Sequence, residues 1–379
     1  AAYTERGRRT ARPEDYPRAE KALRTSLAVR PGDAGALEGM AALANARRDF
    51  AAARTWGEAA LKRDRGRWTV YPQLIEAHTG LGEYRAAGRA LDRLLAARSG
   101  PAVLARAAAV HRDRGNREDA AVALSDAVAG ARTPVERAAY LERAGQLAWE
   151  RGEPEAALRH FREAVRTDPD QRAALAGQGR ALAALGRTTE ALSAYRAALA
   201  KQPYPEYALE LGELYESLGL GQAARVQYDL LREQAARGTA AGVDEELLLG
   251  RFEADHGDPE SAVRRLRAEW SRRPGVEVAD ALGWALHRAG ADGEALAFAR
   301  RATDRAAGGT VRSALYVYHL GMIERGLGRE GPARRHLREA LRIDPGFSPT
   351  RAPRAREVLA ELGEPSVADA PDFGAGSGG

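Results

Sequence analysis

The chain has 379 residues, with 58 basic side chains against 53 acidic ones, so a net charge of +5 is spread too thinly to dictate nucleic-acid binding by itself. Hydrophobic residues reach 44% but aromatics only 6%, and Ala and Leu carry most of the apolar content, which favours helices over a sheet core. The absence of cysteine excludes disulfides, thiolate nucleophiles and Cys-based metal sites, and no apolar run reaches membrane-spanning length. Only three of the basic residues are lysine (Lys21, Lys62 and Lys201), which reads as high-GC codon usage.

At this length the chain must be several globular domains or one repeat array, and internal repetition decides for the array. The first stretch, Thr4 to Arg12, is a polar segment of a first helix. It has no initiator Met and no signal-peptide core, which leads to the expectation of an upstream segment removed by processing or by trimming of the sequence. From there a Gly followed five residues later by Ala recurs in LGEYRAA, RGNREDA, RGEPEAA, LGRTTEA, LGLGQAA, HGDPESA, AGADGEA and LGREGPA. Anchoring on that Ala gives Ala19, Ala53, Ala87, Ala120, Ala157, Ala191, Ala224, Ala262, Ala295 and Ala333, a mean period of about 35. The longer intervals place extra residues near 130, 240 and 308, in Gly-Thr stretches where loops are expected.

Each unit repeats the same size pattern. Twelve residues before the anchor comes a small residue, as at Gly145, Gly179, Gly212, Gly250 and Gly321, with Ile75 the exception; four after it comes a large one, as at Phe161, Tyr195, Tyr228, Leu266 and Leu337. These spacings put anchor and large residue on one helical face that a single unit cannot bury. Pro31, Pro169, Pro203, Pro274 and Pro345, each twelve after an anchor, stop the second helix of their units. Residues 349–363, with a helix over Arg351 to Leu362, read as a C-terminal capping helix, and 364–379, ending GAGSGG, as a flexible linker or disordered tail.

These motifs resemble the tetratricopeptide repeat over residues 1–348. The resemblance implies an all-α, right-handed superhelical solenoid of about ten stacked antiparallel helix pairs, with a concave groove lined by the first helix of each pair that holds a peptide or partner helix. Mapping the family's inward positions gives a candidate partner-binding groove of Arg106, Arg112, Arg143, Gln146, Trp149, Arg180, Glu213, Arg251, Trp284, His287, Tyr318 and Arg325. Arginines fall in the fourth to sixth repeats, acids in the seventh and aromatics in the last two. Trp149 and Trp284 read either as interface anchors or as packing between repeats. The Lys and Asn with which chaperone-binding family members grip a terminal carboxylate are missing: the fifth and ninth positions hold Thr4 and Arg8, Glu38 and Ala42, then Pro72 and Glu76.

No phosphate-loop, dinucleotide, HExxH or nucleophile-elbow motif occurs, and the histidines lack metal-site pairing. His78 and His111 share a repeat position and could stack, while Asp255-His256-Gly257-Asp258 falls on a turn, where Gly and Asp are expected without catalysis. The expected function is a non-catalytic protein-binding scaffold with no cofactor, metal or nucleic acid. The alternative is the repeat portion of a larger exported or membrane-tethered protein whose effector lies elsewhere.

Overall fold

A computed structural model describes residues 2–10, 12–304 and 312–364. Among them are 21 α-helices and no strand. In pairs these are α1 (Ala2–Thr10) with α2 (Asp15–Val29), α3 (Ala34–Ala46) with α4 (Phe50–Arg63), α5 (Tyr71–Gly80) with α6 (Tyr84–Ala97), α7 (Pro101–Asp113) with α8 (Arg117–Ala129) and α9 (Pro134–Glu150) with α10 (Pro154–Thr167). The second half continues with α11 (Arg172–Ala184) and α12 (Thr188–Lys201), α13 (Pro205–Ser217) and α14 (Gly221–Ala240), α15 (Glu246–His256) and α16 (Pro259–Arg272), α17 (Val276–Arg288) and α18 (Asp292–Thr303), and α19 (Ala314–Gly326) and α20 (Glu330–Ile343). A last helix, α21 (Arg351–Leu362), packs on α20. The chain is an all-α solenoid of ten helix pairs plus this terminal helix.

All ten anchor alanines are buried, none more than 3% exposed. The reason is the close approach of paired helices. A Cβ added at Gly145, Gly179, Gly212 or Gly250 would stand 2.3–2.6 Å from the large residue four after the anchor, Phe161, Tyr195, Tyr228 and Leu266 respectively. Phe161, fully buried, also fills the space that a side chain at Gly177 of the next pair would take, so one ring joins two repeats. Burying such a side chain contributes about 1.5–3 kcal/mol. The exception compensates itself: Gly57 replaces the large residue of the second pair, and Leu74 from the third occupies its place.

Helix ends follow from the prolines. α2, α10, α12, α16 and α20 each end two residues before Pro31, Pro169, Pro203, Pro274 and Pro345, and the intervening residue is extended, with φ between −137° and −151°. One expectation fails near 240. The added residues there lengthen α14 to 20 residues, through Gly238 and Thr239, before a short connection to α15. The addition near 308 lies outside the described residues, as does nearly all of the expected tail.

The superhelix is tight enough for its second turn to rest on its first. Arg48 bonds Glu245 at 2.5 Å, the Val276 amide donates to the Tyr84 hydroxyl at 3.0 Å, and Arg117 donates to the Arg312 carbonyl, pairs 197, 192 and 195 residues apart. Each spans between five and six repeats. A fourth contact sets Gly152 against Ile343 and Asp344. In the first three cases the turn inside an early helix pair meets the connection between two later pairs, and in the fourth it meets the connection from the last pair to α21. The lengthened α14 supplies the first of these: the Asp244 amide donates to the Arg47 carbonyl at 2.8 Å.

Candidate functional site: a polar lumen

Because the first helix of each pair faces inward and the turns close on each other, the concave surface becomes a lumen. It holds a cavity of about 1040 Å³, walled by α1, α3, α5 and α7 on one side and by the starts of α9, α11, α13, α15 and α17 on the other. A smaller cavity of about 350 Å³ shares Arg112, Arg251, Glu277 and Tyr316 with it and runs towards α21.

The lumen is lined with charge, and part of that charge is paired between adjacent repeats. Arg112 grips Glu150 with two bonds of 2.6 and 2.7 Å, and Gln146 donates to Glu150 at 2.8 Å. Arg180 donates to Gln146 at 2.5 Å and to Glu210 at 2.9 Å, and the Tyr195 hydroxyl also reaches Glu210. Two-bond guanidinium–carboxylate contacts of this kind fix geometry as well as charge. Burial opposes charge on Arg112 and Arg180, but the facing carboxylates win and hold both above the usual arginine range. Asp113, buried beside Glu277 and Glu150, is pushed up to about 6, chiefly by desolvation.

Arg106 differs. Its one ion pair among the described residues is a long contact to Glu76 at 3.7 Å, which Arg8 shares at 3.8 Å. Burial, followed by the repulsion of Arg143 and Arg8, pulls it below the ordinary value although Glu76 opposes that shift. Arg143 itself is exposed.

The twelve expected groove residues separate into groups. Arg106, Arg112, Trp149, Glu213, Arg251 and Trp284 line the two cavities. Gln146 and Arg180 belong to the bond chain just described. Trp284 is not an open anchor: it is 6% exposed, stacks on His319 at 4.2 Å and donates from Nε1 to Asp255 at 2.9 Å. Tyr318 is packed between Trp284 and Phe347, with ring centroids 5.8 and 5.6 Å away. His287 bonds Asp292 across its own turn, and Arg325 bonds Glu361 of α21. His78 turns to Glu83 at 2.6 Å rather than to His111.

Sequence reasoning missed the residues that cross the lumen. Arg48 reaches Glu245, Glu206 and the Tyr204 hydroxyl, and Arg351 reaches Glu213 at 3.0 Å and Asp255. Asp255, read as part of a turn, faces inward, whereas Asp258 does cap α16 by accepting from the amides of Glu260 and Ser261. The signal available for Arg48 was its place: it stands five before Ala53, where seven other repeats carry a glycine with positive φ, and it keeps that conformation at φ 61°. No group of three or more metal-ligating side chains lies together among the described residues, and none of their helices is long and apolar enough to cross a membrane.

Four segments, residues 5–67, 105–169, 142–204 and 177–238, match the tetratricopeptide repeat family. They cover more than half of the chain, which therefore belongs to that family. No protein of curated function matches it. Among solved structures it is similar to Pseudomonas aeruginosa pilF (18% identity, 55% of this chain and 94% of that one, TM-score 0.42). A tetratricopeptide repeat protein from Parabacteroides merdae is also similar (17%, 69% and 98%, TM-score 0.38), as is yeast Tom70 (12%, 95% and 95%, TM-score 0.39).

Proposed function

We propose that this chain is a scaffold that receives a segment of a protein partner in its lumen, with Arg106 and Arg143 supplying charge for an acidic side chain of that segment. Tetratricopeptide repeats generally mediate protein–protein interaction, and proteins built from them are generally non-catalytic. The observation that carries the finer reading is the Arg106 corner. Arg106 is half-buried on the cavity wall, with Arg8 and the exposed Arg143 as cationic neighbours and Glu76 as its one paired carboxylate among the described residues, beside a cavity large enough for an extended segment. Acidic side chains elsewhere along the lumen, among them Glu206 and Glu277, oppose a continuous track of phosphates.

Partner capture from the native host, comparing wild type with an Arg106→Glu, Arg143→Glu variant of unchanged helicity, tests this. A partner held by wild type and lost by the variant is the expected result. Equal capture by both places the working surface elsewhere.

A further inference from the structure

Luminal ion pairs between neighbouring repeats form a ladder: Arg180 and Glu210 are 30 residues apart, Arg112 and Glu150 are 38. Arg351 does not belong to it. From the first turn of α21 it crosses the lumen to Glu213 on α13 and Asp255 on α15, residues 138 and 96 positions away. Asp255 is held from behind, since Trp284 Nε1 donates to its other oxygen at 2.9 Å, and His256 Nε2 lies 3.7 Å from the Glu213 oxygen that Arg351 takes. The segment leading to Arg351 lies along the same wall, with Phe347 against Tyr318 and Gly346 against Ala184. The cavity of about 350 Å³ opens directly beside Arg351, Phe347, Glu213 and Asp255.

We propose that Glu213 and Asp255, framed by Trp284 and Tyr318, are a receptor for an arginine of a partner segment, and that the chain's own Arg351 fills it in the unliganded protein. This rests on the lumen being the partner-binding surface. The occupant that is seen states the chemistry: a guanidinium divided between two carboxylates from successive repeats, preceded by an aromatic ring four residues earlier. Arginine suits such a site better than lysine, because its planar fork reaches both carboxylates at once. A partner competes with a tethered group whose effective concentration is high, so the receptor selects segments that offer both the arginine and the ring.

The test uses an amidated peptide copying residues 344–351, Asp-Pro-Gly-Phe-Ser-Pro-Thr-Arg, titrated calorimetrically into the full chain. With Arg351→Gln the peptide binds, and replacing its Arg by Gln weakens binding about tenfold or more. Wild type binds it at least about tenfold more weakly than the variant, since it must first expel its own side chain. Arg351→Lys, which keeps a charge in place should the Gln variant not fold, gives intermediate affinity. Binding that ignores the peptide's arginine, or no binding to either the Arg351→Gln or the Arg351→Lys variant, overturns the proposal. Should the peptide fail while partner capture still depends on Arg106 and Arg143, the arginine receptor is wrong and the luminal reading stands.

Discussion

The turns inside the early helix pairs and those inside the later ones have the same backbone and different surroundings. Gly82, Gly152, Gly186, Gly219, Gly290 and Gly328 all adopt φ between 70° and 78°. At Gly186, Gly219, Gly290 and Gly328 an added Cβ meets nothing within 4 Å. At Gly82 it would stand 2.8 Å from the Gly275 Cα, and at Gly152 only 2.3 Å from the Ile343 carbonyl oxygen. The later glycines serve the local turn; the two early ones also let one superhelical turn rest on another. A motif that is uniform in sequence thus does two jobs according to its place along the coil.

Arg48 sharpens the contrast most. It occupies the glycine position, bears a backbone strain of about 1 kcal/mol or more, and uses it to aim its guanidinium at Glu245 and Glu206. Arg48→Ala keeps the strain and strands Glu245, which burial already pushes upward against the pull of Arg48. A loss of about 3 kcal/mol in urea unfolding is expected. Arg187→Ala, whose partner Glu190 is a solvent-exposed neighbour, costs under about 0.5 kcal/mol. Equal losses would mean that the contact between turns contributes nothing.

Next in size is the glycine pair. Gly186→Ala costs about 1 kcal/mol, from the left-handed backbone alone. Gly152→Ala adds the overlap with Ile343, for about 3 kcal/mol in all, or lets residues 343–346 lift away, read as faster amide exchange there. The same cost at both sites would remove the distinction.

The smallest effect is a pH dependence at the Gly152 contact. Burial pushes Asp344 up to about 6, against the amide bond from Gly346. Its folded value lies above the unfolded one, so folding favours the protonated form, and this contribution is lost as pH rises from about 4 through 6. Asp344→Asn, which keeps the acceptor for Gly346, raises stability by about 1–2 kcal/mol at pH 7 and flattens that part of the profile. A variant no more stable than wild type at pH 7 would show that the carboxylate bears no burial cost.

The helix pairs were legible because they arise from local periodicity: an anchor Ala, a small residue twelve before it and a large one four after it are enough to specify how two helices meet. The closure of the coil was not, since its contacts join residues about 195 apart through unrelated side chains and leave no period. Two marks of it were nevertheless present. Arg48 interrupts the glycine series, and the extra residues near 240, read as a loop, are the longer helix that carries Asp244 and Glu245 to Arg47 and Arg48. Trp149 and Trp284 were ambiguous for a physical reason. A large aromatic on an inward face serves packing or binding equally well until its neighbours are known, and here packing within the repeat stack buries both.

The most direct test of the closed coil is a spin-label distance across it. The native chain has no cysteine, so Arg85→Cys and Ser271→Cys place two labels without interference, on exposed positions beside the Gly82–Gly275 contact. A single narrow distribution at short distance is the predicted result. A broad distribution extending to long distances would mean that the two turns separate freely, and the lumen would then be an open groove.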